Sequence, residues 1–194
     1  MELILASKSP RRLTLLQNAG AEPTVRAFET DETITKKLSP EQTVVTLAER
    51  KATAAKNALC TDSVILASDT VVALGDELFG KPKDDGDAKR ILRLLSGKEQ
   101  RVLTGVCVVK GDRMLSDFDC TYIRFRELSD SEIDAYVASG ESRDKAGAYA
   151  VQENGGHFVS EIRGEYDNVV GLPVKLSARL IKELCGLDLY TDFK

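Results

Sequence analysis

Two adjacent arginines, Arg11 and Arg12, follow the run Ser7-Lys8-Ser9-Pro10 at the start of a segment with helical apolar spacing. In the first turn of a helix both cations oppose the positive end of the macrodipole and are mildly destabilising. An anion placed there reverses that sign. Free backbone N–H groups, the hydroxyls of Ser7 and Ser9 and two guanidinium forks together make a cradle for phosphate oxygens. The same residues also read as two solvated arginines after a Ser-Pro turn, and the pattern alone leaves both readings open.

Lys51 lies beyond Val44 and Ala48 on or beside the apolar face of a second helical segment, so it must snorkel, pair with an acid or meet a phosphate. Asp69 comes directly after the apolar run 64–67, at what reads as the carboxyl end of a strand, where open α/β sheets bind ligands. A carboxylate there orients a metal or a water, or caps a turn. Asp31 and Glu32 follow a strand expected over 25–28, and either offers a second metal-ligating carboxylate or a solvated charge. Lys81 is held in the stiff turn Gly80-Lys81-Pro82, and Gln152 brings an amide into a glycine-containing stretch. His157, the only histidine, stands beside Phe158 and Val159 in a strand-like segment and reads as structural. Ser-His and Cys-His machinery is therefore not expected.

The elements that must position these residues alternate along the chain. Residues 2–6 read as a buried strand, followed by a loop and a helix over 10–19 closed by Gly20. Ser39-Pro40 starts a second helix reaching residue 59. Runs 64–67 and 71–74 read as two strands flanking Ser68-Asp69-Thr70, and Gly75-Asp76 turns the chain before Leu78 and Phe79. A helix over 87–96 ends at Gly97, a long hairpin over 101–125 turns at Gly111-Asp112, and Ser129 with Glu132 makes a capping box for a helix that stops at Gly140. A glycine-rich β segment over 147–170 and a last helix from near Pro173 complete the chain. Hairpins within a strand–helix alternation predict an α/β fold with a mixed sheet, and the length favours one domain over 1–194.

Composition narrows the function further. With 42% hydrophobic residues and a net charge of -4, the chain can bury a core but lacks the broad basic surface that nucleic acid or an anionic membrane needs. Any anion site must be local. Cys60, Cys107, Cys120 and Cys185 are scattered without a CxxC pair, which suggests buried reduced thiols rather than zinc or disulfides. Apolar runs are only strand-length, and no basic leader precedes a long apolar stretch, so the chain reads as soluble and cytoplasmic. The P-loop and dinucleotide fingerprints are absent.

Taken together, these residues resemble the Maf family. The resemblance rests on the strand followed by Ser7-Lys8-Ser9-Pro10-Arg11-Arg12 and Leu15-Leu16, then Lys51-Ala52, Ser68-Asp69-Thr70, Gly80-Lys81-Pro82 and Leu95-Ser96-Gly97. Thr104-Gly105-Val106, the run from Asp144 to Tyr149 and the run from Asn168 to Pro173 continue it in family order over nearly the whole chain. It implies a fold like that of the inosine-triphosphate pyrophosphatases, an elongated twisted mixed sheet with helices and a cleft between two lobes, and homodimers are common in that group.

The resemblance also implies an activity, hydrolysis of a nucleoside triphosphate between its α and β phosphates with a divalent cation (Mg²⁺, Mn²⁺ or Co²⁺). Asp69 then looks like the acid/base, Ser7, Arg11, Arg12, Lys51 and Lys81 like phosphate and substrate contacts, and Glu32 like a carboxylate that joins Asp69 at the metal. Arg12, Thr70 and Gln152 fall where the family sets base preference. The stretch through Gln152 is similar to the dTTP/UTP branch, although the family often has histidine where Gln100 stands and Gly-Ile-Gln-Gly where residues 150–153 stand. Two alternatives stay open: a house-cleaning enzyme for non-standard purine triphosphates or 7-methyl-GTP, and a nucleotide-binding regulator of cell division.

Overall fold

A computed structural model describes residues 1–59 and 61–194; Cys60 lies outside the described residues. Strand β1, Leu3–Leu5, is buried on both faces, as a near-continuous apolar run requires. Leu3 and Leu5 join one core with Leu16, Leu172, Leu180 and Phe193, whereas Ile4 and Ala6 join another with Ala48, Ala52 and Ala55. Period-2 side-chain alternation thus commits β1 to helices on both sides.

The chain continues through α1 (Pro10–Asn18), β2 (Thr24–Val25), α2 (Pro40–Leu59), β3 (Val64–Leu74), β4 (Glu77–Phe79) and α3 (Asp85–Leu95). The hairpin strands β5 (Glu99–Lys110) and β6 (Arg113–Phe125) precede α4 (Asp130–Ala138), then β7 (Val159–Arg163), α5 (Tyr166–Val170) and α6 (Val174–Cys185). Strand order is β2-β1-β3-β5-β6-β7, with β4 on β3. Strand β1 is parallel to β2 and β3, while β3–β4 and β6–β7 are antiparallel, so the sheet is mixed as the hairpins required.

Two compact units emerge from this chain. One comprises residues 1–69, 104–119 and 171–194, the other residues 70–103 and 120–170. In the first, α2 packs on the Ile4 face of β1 and its Val44 meets Gly105 so closely that a Cβ on Gly105 would stand 2.2 Å from the Val44 carbonyl oxygen. Reciprocal hydrogen bonds between Ser39 and Gln42 open α2, so its start is fixed as the sequence suggested. In the second unit, α3 and α4 cover a core in which Phe125, Tyr149, Phe158 and Tyr136 meet edge to face. Ser129 and Glu132 form the expected capping box on α4.

Four expectations need correction. Ser68-Asp69-Thr70 does not separate two strands, because β3 runs unbroken from Val64 to Leu74. The stretch 147–170 is mostly not β. Gly147 and Ala148 take consecutive positive φ angles of 71° and 62°, which no strand tolerates, and the chain forms 3-10 turns over Ala146–Ala148 and Asn154–Phe158 before β7. His157 accordingly sits exposed in the second turn rather than in a strand. Strand β2 also ends at Val25 instead of reaching residue 28.

Cys107, Cys120 and Cys185 are free thiols, of which only Cys107 is fully buried, and burial pushes its pKa up to about 12. Among the described residues no helix is long and apolar enough to cross a membrane. Because backbone and not a flexible side chain blocks a Cβ at Gly105, Gly105→Ala is expected to lower unfolding stability by about 1–3 kcal/mol. Denaturant titration of the variant against the parent chain checks this.

Candidate active site

The site grows from the end of β1. Beyond Leu5 the chain turns into α1, while the neighbouring strand β3 carries on past the last β1 pair, Leu5 with Leu66. Asp69 therefore lies mid-strand in β3 but beyond the carboxyl end of β1, beside a helix start. The crevice anticipated at a strand end belongs to β1 rather than to Asp69's own strand.

Alternation along β3 decides what Asp69 meets. Its side chain shares a face with Ile65 and Ala67, which pack on α2, whereas Ser68 points the other way and gives its hydroxyl proton to the Gly171 carbonyl at 3.1 Å. On α2, Lys51 stands between Ala48, Ala52 and Ala55, so its stem follows the apolar face toward Asp69. The Lys51 ammonium ion pairs with Asp69 and, at 2.9 Å, with Glu32. Side-chain exposures of 19% for Lys51, 11% for Asp69 and 58% for Glu32 make this a cation held between one enclosed and one open carboxylate. Breaking an enclosed pair by removing one member leaves a charge with little solvent, a change worth about 3–5 kcal/mol in fully buried cases.

Arg12 behaves differently from the expectation of a dipole-opposed cation. Its Nε donates to the Gly171 carbonyl at 2.8 Å, and its Nη1 donates to the Ser68 carbonyl at 2.8 Å and the Ser7 hydroxyl oxygen at 3.2 Å. Burial lowers the Arg12 pKa, and the negative charges of Asp69 and Glu32 oppose that shift. Gly171 can aim its carbonyl at these donors because it holds a φ of 118°, a conformation that side chains rarely adopt. The sequence reading, in which either arginine is a mild liability, fails for Arg12, which ties α1 to β3 and to the start of α6.

Arg11 has no such duty. Among the described residues no side-chain hydrogen bond or ion pair engages it, and the first turn of α1 holds no acid. Ser9 caps α1 without a side-chain hydrogen bond. Ser7 Oγ accepts from the Ser9 N–H at 3.1 Å as well as from Arg12, which leaves its own proton to give. A half-buried free guanidinium, a hydroxyl proton and open helix N–H groups are the components of an anion cradle.

Asp31, by contrast, caps a turn. Its carboxylate accepts the Thr33 N–H at 2.9 Å, and that bond lowers its pKa. Of the two neighbouring acids, Glu32 is the one that reaches Lys51.

Ser7, Arg11, Arg12, Glu32, Lys51 and Asp69 all belong to the first unit, and Thr70, Lys81 and Gln152 to the second. Lys81 is exposed in the turn after β4, where the Gly80 carbonyl accepts the Gly147 N–H at 3.1 Å. Gln152 is exposed between the two 3-10 turns. Sequence reasoning missed Gly171 as a contact point for Arg12. Its signal was a glycine just before Leu172-Pro173, a place where a positive φ fits.

These features make an α/β protein with the components of an anion cradle beside an enclosed carboxylate, and comparison with known proteins identifies the family. The sequence matches the Maf-like protein family over residues 2–184, and the chain belongs to it. It is 47% identical over 184 residues to a dTTP/UTP pyrophosphatase of Anaeromyxobacter dehalogenans, covering 93% of this chain and 92% of that protein. A dTTP/UTP pyrophosphatase of Bacillus cereus is 44% identical over 184 residues, covering 94% of each chain. The fold is similar to that of a HAM1 protein from Coxiella burnetii, with a TM-score of 0.52 at 15% identity over 94% of this chain and 99% of that one.

The two arginines separate cleanly in experiment. Arg12→Ala is expected to cost about 2–4 kcal/mol of stability, because it strips donors from enclosed carbonyls. Arg11→Ala should leave the melting temperature within about 1–2 °C, since a surface change without partners is worth only tenths of a kcal/mol. Equal melting temperatures for the two variants would contradict the division of labour described above.

Proposed function

We propose that the protein is a nucleoside triphosphate pyrophosphatase that cleaves dTTP and UTP to the nucleoside monophosphate and pyrophosphate. The observation that carries this reading is the pairing of an unengaged cationic helix start at Arg11 with an enclosed carboxylate at Asp69, linked through Arg12 within one unit. The names of the Anaeromyxobacter and Bacillus relatives support the substrate class.

In this reading the triphosphate enters the cradle with its charge against Arg11, the Ser7 hydroxyl and the first N–H groups of α1. Asp69 takes a proton from a water aimed at the α-phosphorus; the new P–O bond forms as the bond to the bridging oxygen breaks, and pyrophosphate leaves with the electron pair. Lys51 holds the Asp69 carboxylate in place through their ion pair. Arginine and lysine charges are fixed before reaction, so they oppose the developing negative charge without reorganising.

Asp69 and Glu32 fit a divalent cation such as Mg²⁺, Mn²⁺ or Co²⁺. Both carboxylates already converge on one positive charge, at Lys51. Hard cations of this kind commonly take one or two carboxylates and complete their shell with substrate phosphates and water. Among the described residues no group of three or more His, Cys, Asp or Glu gathers together, and in this reading substrate phosphates and water complete the shell. When bound, the ion would neutralise charge on the phosphates.

Base choice falls to Gln152, with Thr70 beside Asp69 on β3. A glutamine amide offers an acceptor oxygen and a donor NH2 group; held in one orientation, it matches the O4 and N3–H edge shared by thymine and uracil, whose donor and acceptor positions cytosine reverses. A site built for one pattern leaves polar groups unpaired when the wrong base enters, and that discriminates strongly. A cytoplasmic homodimer belongs to the same reading, on the strength of the family resemblance.

Asp69→Asn is expected to reduce pyrophosphate release from UTP by about a thousandfold or more while the fold persists, since the amide keeps the shape and loses the base. Near-parent turnover would remove Asp69 from the chemistry. Comparing dTTP, UTP, CTP, ITP and 7-methyl-GTP should rank dTTP and UTP highest, and Gln152→Ala should flatten that ranking. A parent enzyme that prefers a purine triphosphate would overturn the proposed substrate, and nucleotide binding without turnover would favour a regulatory role.

A further inference from the structure

Gln152 stands in a segment with neither strand nor helix, between the turns Ala146–Ala148 and Asn154–Phe158. An exposed amide on a loose loop selects poorly, because ordering it consumes the binding energy that selection needs. The loop here is held on both sides of Gln152. Upstream, the Ala150 N–H donates to the Tyr136 hydroxyl oxygen at 3.1 Å. Downstream, the Glu141 carboxylate accepts the Gly155 N–H on one oxygen and the Asn154 side-chain amide on the other, each at 2.9 Å.

These two anchors adjoin, since the Tyr136 hydroxyl lies close enough to the Glu141 carboxylate to help lower its pKa. Burial acts to raise the Glu141 pKa, but the hydrogen bonds from Gly155 and Asn154, with the nearby Tyr136 hydroxyl, outweigh it and the net shift is downward, so the acceptor is ionised at neutral pH. Backbone packing closes the loop as well. A Cβ on Gly155 would stand 2.8 Å from the Ala150 carbonyl oxygen and 2.9 Å from the Tyr136 hydroxyl, and one on Gly156 would stand 2.6 Å from the Val151 carbonyl oxygen. Residues 150–151 and 155–156 therefore lie in contact, and Gln152 projects from a closed loop whose neck is gripped by one carboxylate and one phenol. None of these groups belongs to the phosphate machinery.

We propose that Glu141, through Asn154-Gly155, and Tyr136, through Ala150, are the positioning residues for Gln152 and so set the base selectivity of the enzyme. This rests on the reading of Gln152 given above. Glu141→Gln keeps the shape but turns one acceptor oxygen into a donor facing Gly155 or Asn154, and Tyr136→Phe leaves the Ala150 N–H without its acceptor. A loop displaced by a fraction of an ångström misaligns a hydrogen-bonding pair while leaving the phosphate contacts in place.

The test measures kcat/KM for UTP and for CTP in the parent enzyme, Glu141→Gln, Tyr136→Phe and Gln152→Ala, with melting temperatures alongside. Glu141→Gln and Tyr136→Phe are each expected to lower the UTP to CTP preference by about tenfold while kcat on UTP changes less than about threefold. Glu141→Asp, which restores the charge, should recover part of the preference. If Gln152→Ala collapses the preference while Glu141→Gln and Tyr136→Phe retain it, the positioning role is overturned and the reading of Gln152 stands. If Gln152→Ala itself retains the preference, that reading falls and this proposal with it. Should Glu141→Gln fail to fold, Tyr136→Phe and Asn154→Ala carry the same comparison.

Discussion

The first unit is organised around a lysine placed between two carboxylates. Lys51 reaches the site only because Ala48, Ala52 and Ala55 let α2 lie close on β1 and β3, and Gly105 lets the same helix approach β5. That close approach carries the ammonium group to Asp69. Without it a nearly enclosed Asp69 would lack a counter-charge, which low-dielectric surroundings penalise heavily. Small residues along one helix face thus place the counter-charge of the carboxylate on which the proposed chemistry depends.

Arg12 and Arg11 show how neighbouring cations divide between architecture and function. Arg12 uses its fork on two backbone carbonyls and a hydroxyl, and those bonds connect α1, β3 and the residue ahead of Leu172. Arg11, one position earlier and on another face, is spared such partners. A free first arginine and a held second one divide the work: Arg12 fixes the frame of the cradle, while the Arg11 guanidinium keeps its donors for an anion.

Much of this was legible in the sequence. Helix starts at Ser39-Pro40 and Ser129 carry local capping chemistry, and they form where expected. Candidate residues Ser7, Arg12, Lys51, Asp69 and Glu32 come together because strand alternation and helical spacing act over short distances. Other features depend on contacts far apart in the chain. Nothing near Arg12 announces that Gly171 will offer it a carbonyl, and nothing near Asp69 says that β1 stops while β3 continues. The glycine-rich stretch 147–170 misled for a related reason: Gly155 and Gly156 serve close backbone approaches within a loop, and a β reading counts them only as breaks.

The order of the chain has a consequence for synthesis on the ribosome. Leu3–Leu5 pairs with β3 from the far side of α1, β2 and α2, and its core is completed by α6 near the other end of the chain. Residues 70–103 and 120–170, which make up the second unit, are all translated before Gly171 and α6 appear. Domains acquire structure as their residues emerge, and pairings distant in sequence form slowly. A nascent chain therefore carries Ser7, Arg12, Lys51 and Asp69 from early on but cannot lock them, because the carbonyl that fixes Arg12 is made only after the whole second unit. A polypeptide released before Gly171 would have a buildable second unit and an open first one, with its apolar β1 strand uncovered for chaperones or proteases to find.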